Sequence, residues 1–221
     1  MHEHSGLPDD IADARARAAK ALREVGHAFV GHHVPIDQVE HLTADLTAWL
    51  DRIDRTKVRD RVIERPTGDW GPPPASGEEM FSFDERPVSG RSSPHGLDLR
   101  VLRDGDEVVA HVTLGAAHEG APRRGHGGIV SALFDDVFGF VLTISRQPAF
   151  TGQLTVRYEQ GVPIHEPLEC RVRMTGTEGR KIHMSGELTG DDGVGGRTVY
   201  TSATAIFIAI DAEVFRALSS S

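Results

Sequence analysis

GHGGIVSALFDDVFGF, residues 125–140, is the stretch whose reading decides the fold. Ile129, Val130, Ala132, Leu133, Phe134, Val137, Phe138 and Phe140 leave a helix over these residues almost no polar face. A helix apolar nearly all round is one that other structure surrounds. Two features oppose that simple role. The helix opens on His126-Gly127-Gly128, and it carries two adjacent acids, Asp135 and Asp136, in its middle. An unpaired carboxylate is costly to bury and responds by changing protonation or finding a partner. From the helix alone, the acid is either a general base or nucleophile in a dry site, or a carboxylate paired across a subunit contact or turned to solvent. The first turn of a helix has unpaired N–H groups at the positive end of its dipole, and Gly127 and Gly128 leave them open to a ligand oxygen. That arrangement stabilises an oxyanion, although His-Gly-Gly also serves as a plain loop-to-helix turn. Asp135 lies about 10 Å further along the same helix, too far to act on an oxygen bound at its own glycines. It can face the helix start of a second subunit, which implies a dimer.

Outward from this helix the periodicity is two. LDLRVLRDGDEVVAHVTL (97–114) reads as two strand segments joined at Asp104-Gly105-Asp106. Beyond the helix come QLTVRYEQ (153–160), LECRVRM (168–174), KIHMSGEL (181–188) and TVYTSATAIFIAI (198–210), separated by turn signals. One apolar helix followed by a meander of strands predicts an α+β fold in which an antiparallel sheet wraps the helix.

Towards the N-terminus, IDQVEHLTADLTAWLDRI (36–53) sets Ile36, Val39, Leu42, Leu46, Trp49 and Ile53 on one helical stripe behind Pro35. DDIADARARAAKALREVGHAFV (9–30) repeats the pattern more weakly through Ile11, Ala14, Ala18, Ala21, Val25 and Phe29. The expected organisation is an N-terminal helical hairpin over 1–70, which must lay its apolar side on something else. A Pro/Gly-rich linker or surface loop follows over 71–94, and the sheet-and-helix domain occupies 95–221.

The 221 residues suit one domain with an appendage, and 38% apolar against 26% charged residues is an ordinary globular balance. The formal charge of −9 excludes a general nucleic-acid binder. No apolar run approaches the ~20 residues of a membrane span, so no membrane partner is expected. Neither a cationic segment nor an apolar one opens the chain, and the one cysteine, Cys170, excludes an internal disulfide, so a cytoplasmic location is expected. His27, His32, His33 and His41 lack metal-site companions, so no metal or other cofactor is expected.

The stretch 125–139 resembles the His-Gly-Gly helix of hotdog-fold acyl-CoA thioesterases of the PaaI-like group. In that family a catalytic carboxylate falls nine residues after the histidine and a glycine four residues later, which here are Asp135 and Gly139. FTGQLTVRYEQGVPI, EGRKIHMSGEL and VYTSATAIFIAI are similar to the sheet of the branch containing carboxyl-terminal modulator protein, with Thr151 at the position of the acid's partner. The resemblance covers about residues 95–210. It implies a hotdog fold, paired protomers with sites at their interface, and hydrolysis of an acyl-CoA to free acid and coenzyme A. It further implies that the Gly128 N–H polarises the thioester carbonyl, with Gly127 beside it. Asp135 activates water or attacks directly, Thr151 positions the water or the acid, and His126 shapes the site. Arg180 and Lys181 match the family's Gly-Arg-Lys and are expected at the coenzyme's phosphates, with Arg124 a further candidate. One departure stands out: Gly120 occupies the place where some relatives carry a carbonyl-binding amide. The expected assembly is a homodimer or dimer of dimers. The rival readings are a non-catalytic acyl-CoA-binding or sensing protein, an enoyl-CoA hydratase on the same fold, and a scaffold whose hairpin binds a partner.

Overall fold

The structure is a computed structural model of one chain and describes residues 7–59, 72–191, 193–211 and 213–214. Residues 1–6, 60–71, 192, 212 and 215–221 lie outside it. That includes part of the expected 1–70 and 71–94 segments and the end of 95–221.

Helix α3 (Gly127–Ser145) is the axis of the molecule. Its apolar composition is explained by what covers it: Val130, Leu133, Phe134, Val137, Phe138, Phe140, Val141 and Leu142 are all buried. By length and composition this helix could cross a membrane, contrary to the reading that no run is long enough. Here it is instead packed against the sheet, touching β2, β3, β4 and β6. The helix stops where Arg146 turns left-handed (φ 53°), its N–H donating to the Leu142 carbonyl.

Six strands form one antiparallel sheet: β1 (Arg100–Asp104), β2 (Glu107–Thr113), β3 (Ala149–Tyr158), β4 (Pro167–Glu178), β5 (Lys181–Asp191) and β6 (Arg197–Ala209). Their order is β1-β2-β4-β5-β6-β3, so the first strand after the helix ends up at an edge. The sequence alternation sets the faces. Leu168, Cys170 and Val172 of β4 and Ile182, Met184 and Leu188 of β5 point inward and are buried. On β6, Ala203, Ala205 and Phe207 do the same, with Phe207 edge-on to Phe138 at 6.4 Å between ring centroids. The expected sheet-wrapped helix is what the chain adopts. Burial raises the Cys170 thiol well above its usual range, as suits a packing residue.

Two helices precede the sheet, α1 (Asp9–Gly31) and α2 (Ile36–Ile53), as the stripes predicted. Their apolar stripes, however, are not what they bury. α1 buries Ala12, Ala19 and Arg23 and leaves Ile11, Val25 and Phe29 exposed. It is fastened through polar contacts: Arg23 donates to the Ser93 carbonyl and pairs with Asp98, and Asp13 pairs with Arg91. α2 buries no residue, and Ile36, Leu46, Trp49 and Ile53 all face outward in the single chain. Between α2 and β1, residues 77–80 lie along the β1 edge of the sheet. Met80 is buried there, its N–H donating to the Val101 carbonyl.

Candidate active site

Two neighbouring acids in α3 take opposite environments, and the assignment differs from expectation. Asp135 is exposed in the single chain, not buried. Asp136 is the buried acid, and it is neither solvent-facing nor reserved for another subunit. Arg86, from the irregular segment before β1, reaches it: Nε contacts Asp136 Oδ1 at 2.5 Å, and Nη2 donates to the Asp136 carbonyl oxygen at 3.0 Å. The guanidinium also sits 5.3 Å from the centre of the Phe140 ring. Gly139 makes room for it, because a Cβ there would lie 2.3 Å from Nη2. The glycine four residues after Asp135 thus serves the neighbouring acid.

Asp135 meets Thr151, which donates its hydroxyl to Oδ1 at 2.8 Å. The sheet register explains why. Thr151 pairs with Phe207, and Phe207 with Ile182, a row that faces the helix. Lys181 stands in the next row, with Ile208 and Phe150, and so points to the outer face at the same end of the sheet. Arg180 occupies the exposed turn just before it. Asp135, Thr151, Arg180 and Lys181 therefore gather at one end of β3.

The other predicted residues gather at the opposite end. His126 is the N-cap of α3, and its Nδ1 accepts the Gly128 N–H at 3.0 Å. The amide expected to polarise a carbonyl is thus already held by the histidine two residues before it. Gly127 is fixed from the sheet: Tyr158, the last residue of β3, donates its hydroxyl to the Gly127 carbonyl at 2.7 Å. Ser131 Oγ lies 2.7 Å from the same phenol oxygen. Arg124 precedes the helix, exposed, its backbone bridged to Pro163. Gly120 has no space for the amide side chain that some relatives carry, since a Cβ there would lie 2.8 Å from the His126 Cα.

Arg86, Ser131 and Tyr158 were not found by sequence reasoning. Tyr158 was visible only as an alternating strand residue, and nothing local marks Arg86, whose partner lies 50 positions away. The described residues contain no cluster of His, Cys, Asp or Glu that could hold a metal. Of the N-terminal histidines, His27 packs edge-on against His118, and its Nδ1 accepts the Ala117 N–H at 3.0 Å. Burial and the neighbouring His27 lower His118 to a pKa of about 4.

A six-stranded antiparallel sheet around one long helix, with two N-terminal helices, is a hotdog-like α+β fold. A crystal structure of a thioesterase superfamily protein shares it over 88% of this chain and 90% of its own, at a TM-score of 0.71 and 25% identity. Residues 125–196, the helix through β5, match the thioesterase superfamily, so the family resemblance read from the His-Gly-Gly helix holds. The acyl-coenzyme A thioesterase THEM4 of Mus musculus, the carboxyl-terminal modulator protein, is 32% identical over 95 residues, 43% of this chain and 40% of that protein. The acyl-coenzyme A thioesterase THEM5 of Homo sapiens is 26% identical over 99 residues, 45% of this chain and 39% of its own. The match therefore spans about two fifths of these relatives' length.

Proposed function

We propose that this protein is an acyl-CoA thioesterase that works as a homodimer, or dimer of dimers, with each site shared between two subunits. The observation that carries the reading is the Thr151–Asp135 hydrogen bond at the exposed end of β3. It holds one carboxylate oxygen and leaves the other to take a proton from water. The curated relatives named above are acyl-CoA thioesterases, which gives the substrate class.

The geometry favours a shared site. Within one chain, Asp135 and the Gly128 amide lie at opposite ends of β3, and β3 is an edge strand of the sheet. A second copy adding its own β3 antiparallel to this edge brings its Thr151 end beside the Tyr158 end of the first. That sets the second copy's Asp135 opposite the first copy's helix start. The thioester carbonyl oxygen takes the Gly128 N–H in place of His126 Nδ1, and Asp135 of the other subunit activates water against the carbonyl carbon. Water adds its oxygen and one proton is carried by Asp135. The carbon–sulfur bond breaks, and the thiolate of coenzyme A leaves with the proton that Asp135 carried, which restores the carboxylate. Arg180 and Lys181, exposed beside the Asp135 end, take the phosphates of the coenzyme.

The test is coenzyme A release, followed with a thiol reagent across short to long acyl-CoA chains, for the wild-type protein and Asp135→Asn. Loss of about 100-fold or more in kcat at an unchanged melting temperature is expected. Tight acyl-CoA binding without turnover at any chain length would replace this reading with the sensing one.

A further inference from the structure

We infer that Tyr158 is a positioning residue for the carbonyl-polarising amide, acting through the Gly127–Gly128 peptide; the inference rests on the thioesterase reading. The Gly127 carbonyl and the Gly128 N–H belong to one peptide unit. A hydrogen bond donated to that carbonyl draws electron density through the amide and makes its N–H a stronger donor. It also fixes the plane of a peptide flanked by two glycines, the residue type with the greatest backbone freedom. Tyr158 donates this bond at 2.7 Å. Its one hydroxyl proton is thereby used, so at the 2.7 Å contact with Ser131 the serine is the donor. The chain of donation runs from Ser131 Oγ to Tyr158 Oη to Gly127 O, and each bond polarises the next.

The placement suits the task. The site has no room for a side chain at Gly120, so the second carbonyl donor of some relatives is absent at that position. The remaining amide must carry the developing charge, and strengthening it is the available remedy. β3 then presents both halves of the chemistry, with Thr151 setting the acid at its start and Tyr158 setting the amide at its end. Two antiparallel copies of this strand bring one of each together.

Tyr158→Phe keeps the ring and removes only the hydroxyl. It is expected to lower kcat about tenfold while KM and the melting temperature stay near wild type. Ser131→Ala is expected to lower kcat about two- to threefold alone and to add nothing in the Tyr158→Phe background, because the serine acts through the phenol. The Gly128 amide proton, read by nitrogen-edited NMR on the full chain, is expected to move upfield in Tyr158→Phe as its polarisation falls. Unchanged kcat, or additive serine and tyrosine losses, would overturn the inference. If the wild-type protein hydrolyses no acyl-CoA, the functional reading fails by itself and the amide shift decides. A Gly128 resonance unmoved by Tyr158→Phe sinks the clamp, and a moved one retains it as the holder of the helix start.

Discussion

At the scale of single residues, the two adjacent acids of α3 are separated by what reaches them. Asp136 is buried and bound by Arg86, so removing either partner leaves a charge without its counterpart in a largely dry place. Asp136→Asn or Arg86→Ala is expected to lower stability by about 3 kcal/mol in urea denaturation. Gly139→Ala should cost less, because its methyl group meets the free end of the Arg86 side chain, which can shift, and alanine favours the helix. Asp135→Asn in the same assay should change stability by less than about 0.5 kcal/mol, as for a surface position. If Asp135 works as a base, a single turnover in water enriched in oxygen-18 puts the label in the released acid and none in Asp135. Label found in the carboxylate by mass spectrometry would make Asp135 the nucleophile instead. From the sequence, the acid nine residues after His126 was legible through the resemblance to the thioesterase family's motif, and not from the helix alone. The identity of the buried one was not, since burial was settled by Arg86 from a segment without periodicity.

At the scale of elements, the contact of α1 with the short turn Ala116–His118 carries a titratable joint. His118 is lowered to about 4 by burial and by His27; Asp98 acts in the opposite direction. Its Nδ1 accepts the Gly115 N–H at 3.2 Å, which needs the neutral ring. An unfolded histidine has a pKa of about 6.5, so between these values the unfolded chain binds more protons than the folded one. The contribution of this group is therefore complete above about pH 6.5 and is lost as the pH falls towards 4. The melting temperature should drop between pH 7 and 5, and the drop should be shallower in His118→Gln. Equal slopes would mean that the joint does not govern the acid side. None of this was legible beforehand. α2 was readable to the residue because Pro35 and a regular stripe delimit it, and the strands were recognisable by alternation, although β3 starts four residues earlier and stops two earlier than expected and β4 runs four residues further. Which face α1 buries was not, because the buried Arg23 is held by Ser93 and Asp98, some 70 positions away, and the hydrophobic stripe stays outside. Periodicity reports that a helix has a face, and only the tertiary partner decides which face is used.

At the scale of the whole molecule, the proposed shared site makes one chain half a machine. α3 and β3 run antiparallel, so the Asp135–Thr151 contact and the Gly127–Tyr158 contact occupy opposite ends of the same strand. No bending of a single chain brings those ends together without unmaking the sheet that buries α3. Two copies related by a twofold axis through the edge of β3 bring them together twice. This makes a specific demand on mixed assemblies. Asp135→Asn removes the acid from one half, and Gly128→Pro removes the amide hydrogen from the other. Proline is tolerated in the first helical turn, and among the described residues this N–H donates to the His126 side chain, so the bond given up is that cap and not a backbone bond of the helix. Each variant alone should be inactive. Unfolded and refolded together in equal amounts, they form mixed dimers in half of all pairs, and each mixed dimer has one site with both parts intact. About a quarter of wild-type activity should return, read as coenzyme A release at constant total protein. Recovery near that level establishes a site assembled from two subunits. No recovery, with mixed dimers demonstrated by mass spectrometry, would return both functions to a single chain and require α3 and β3 to part during turnover.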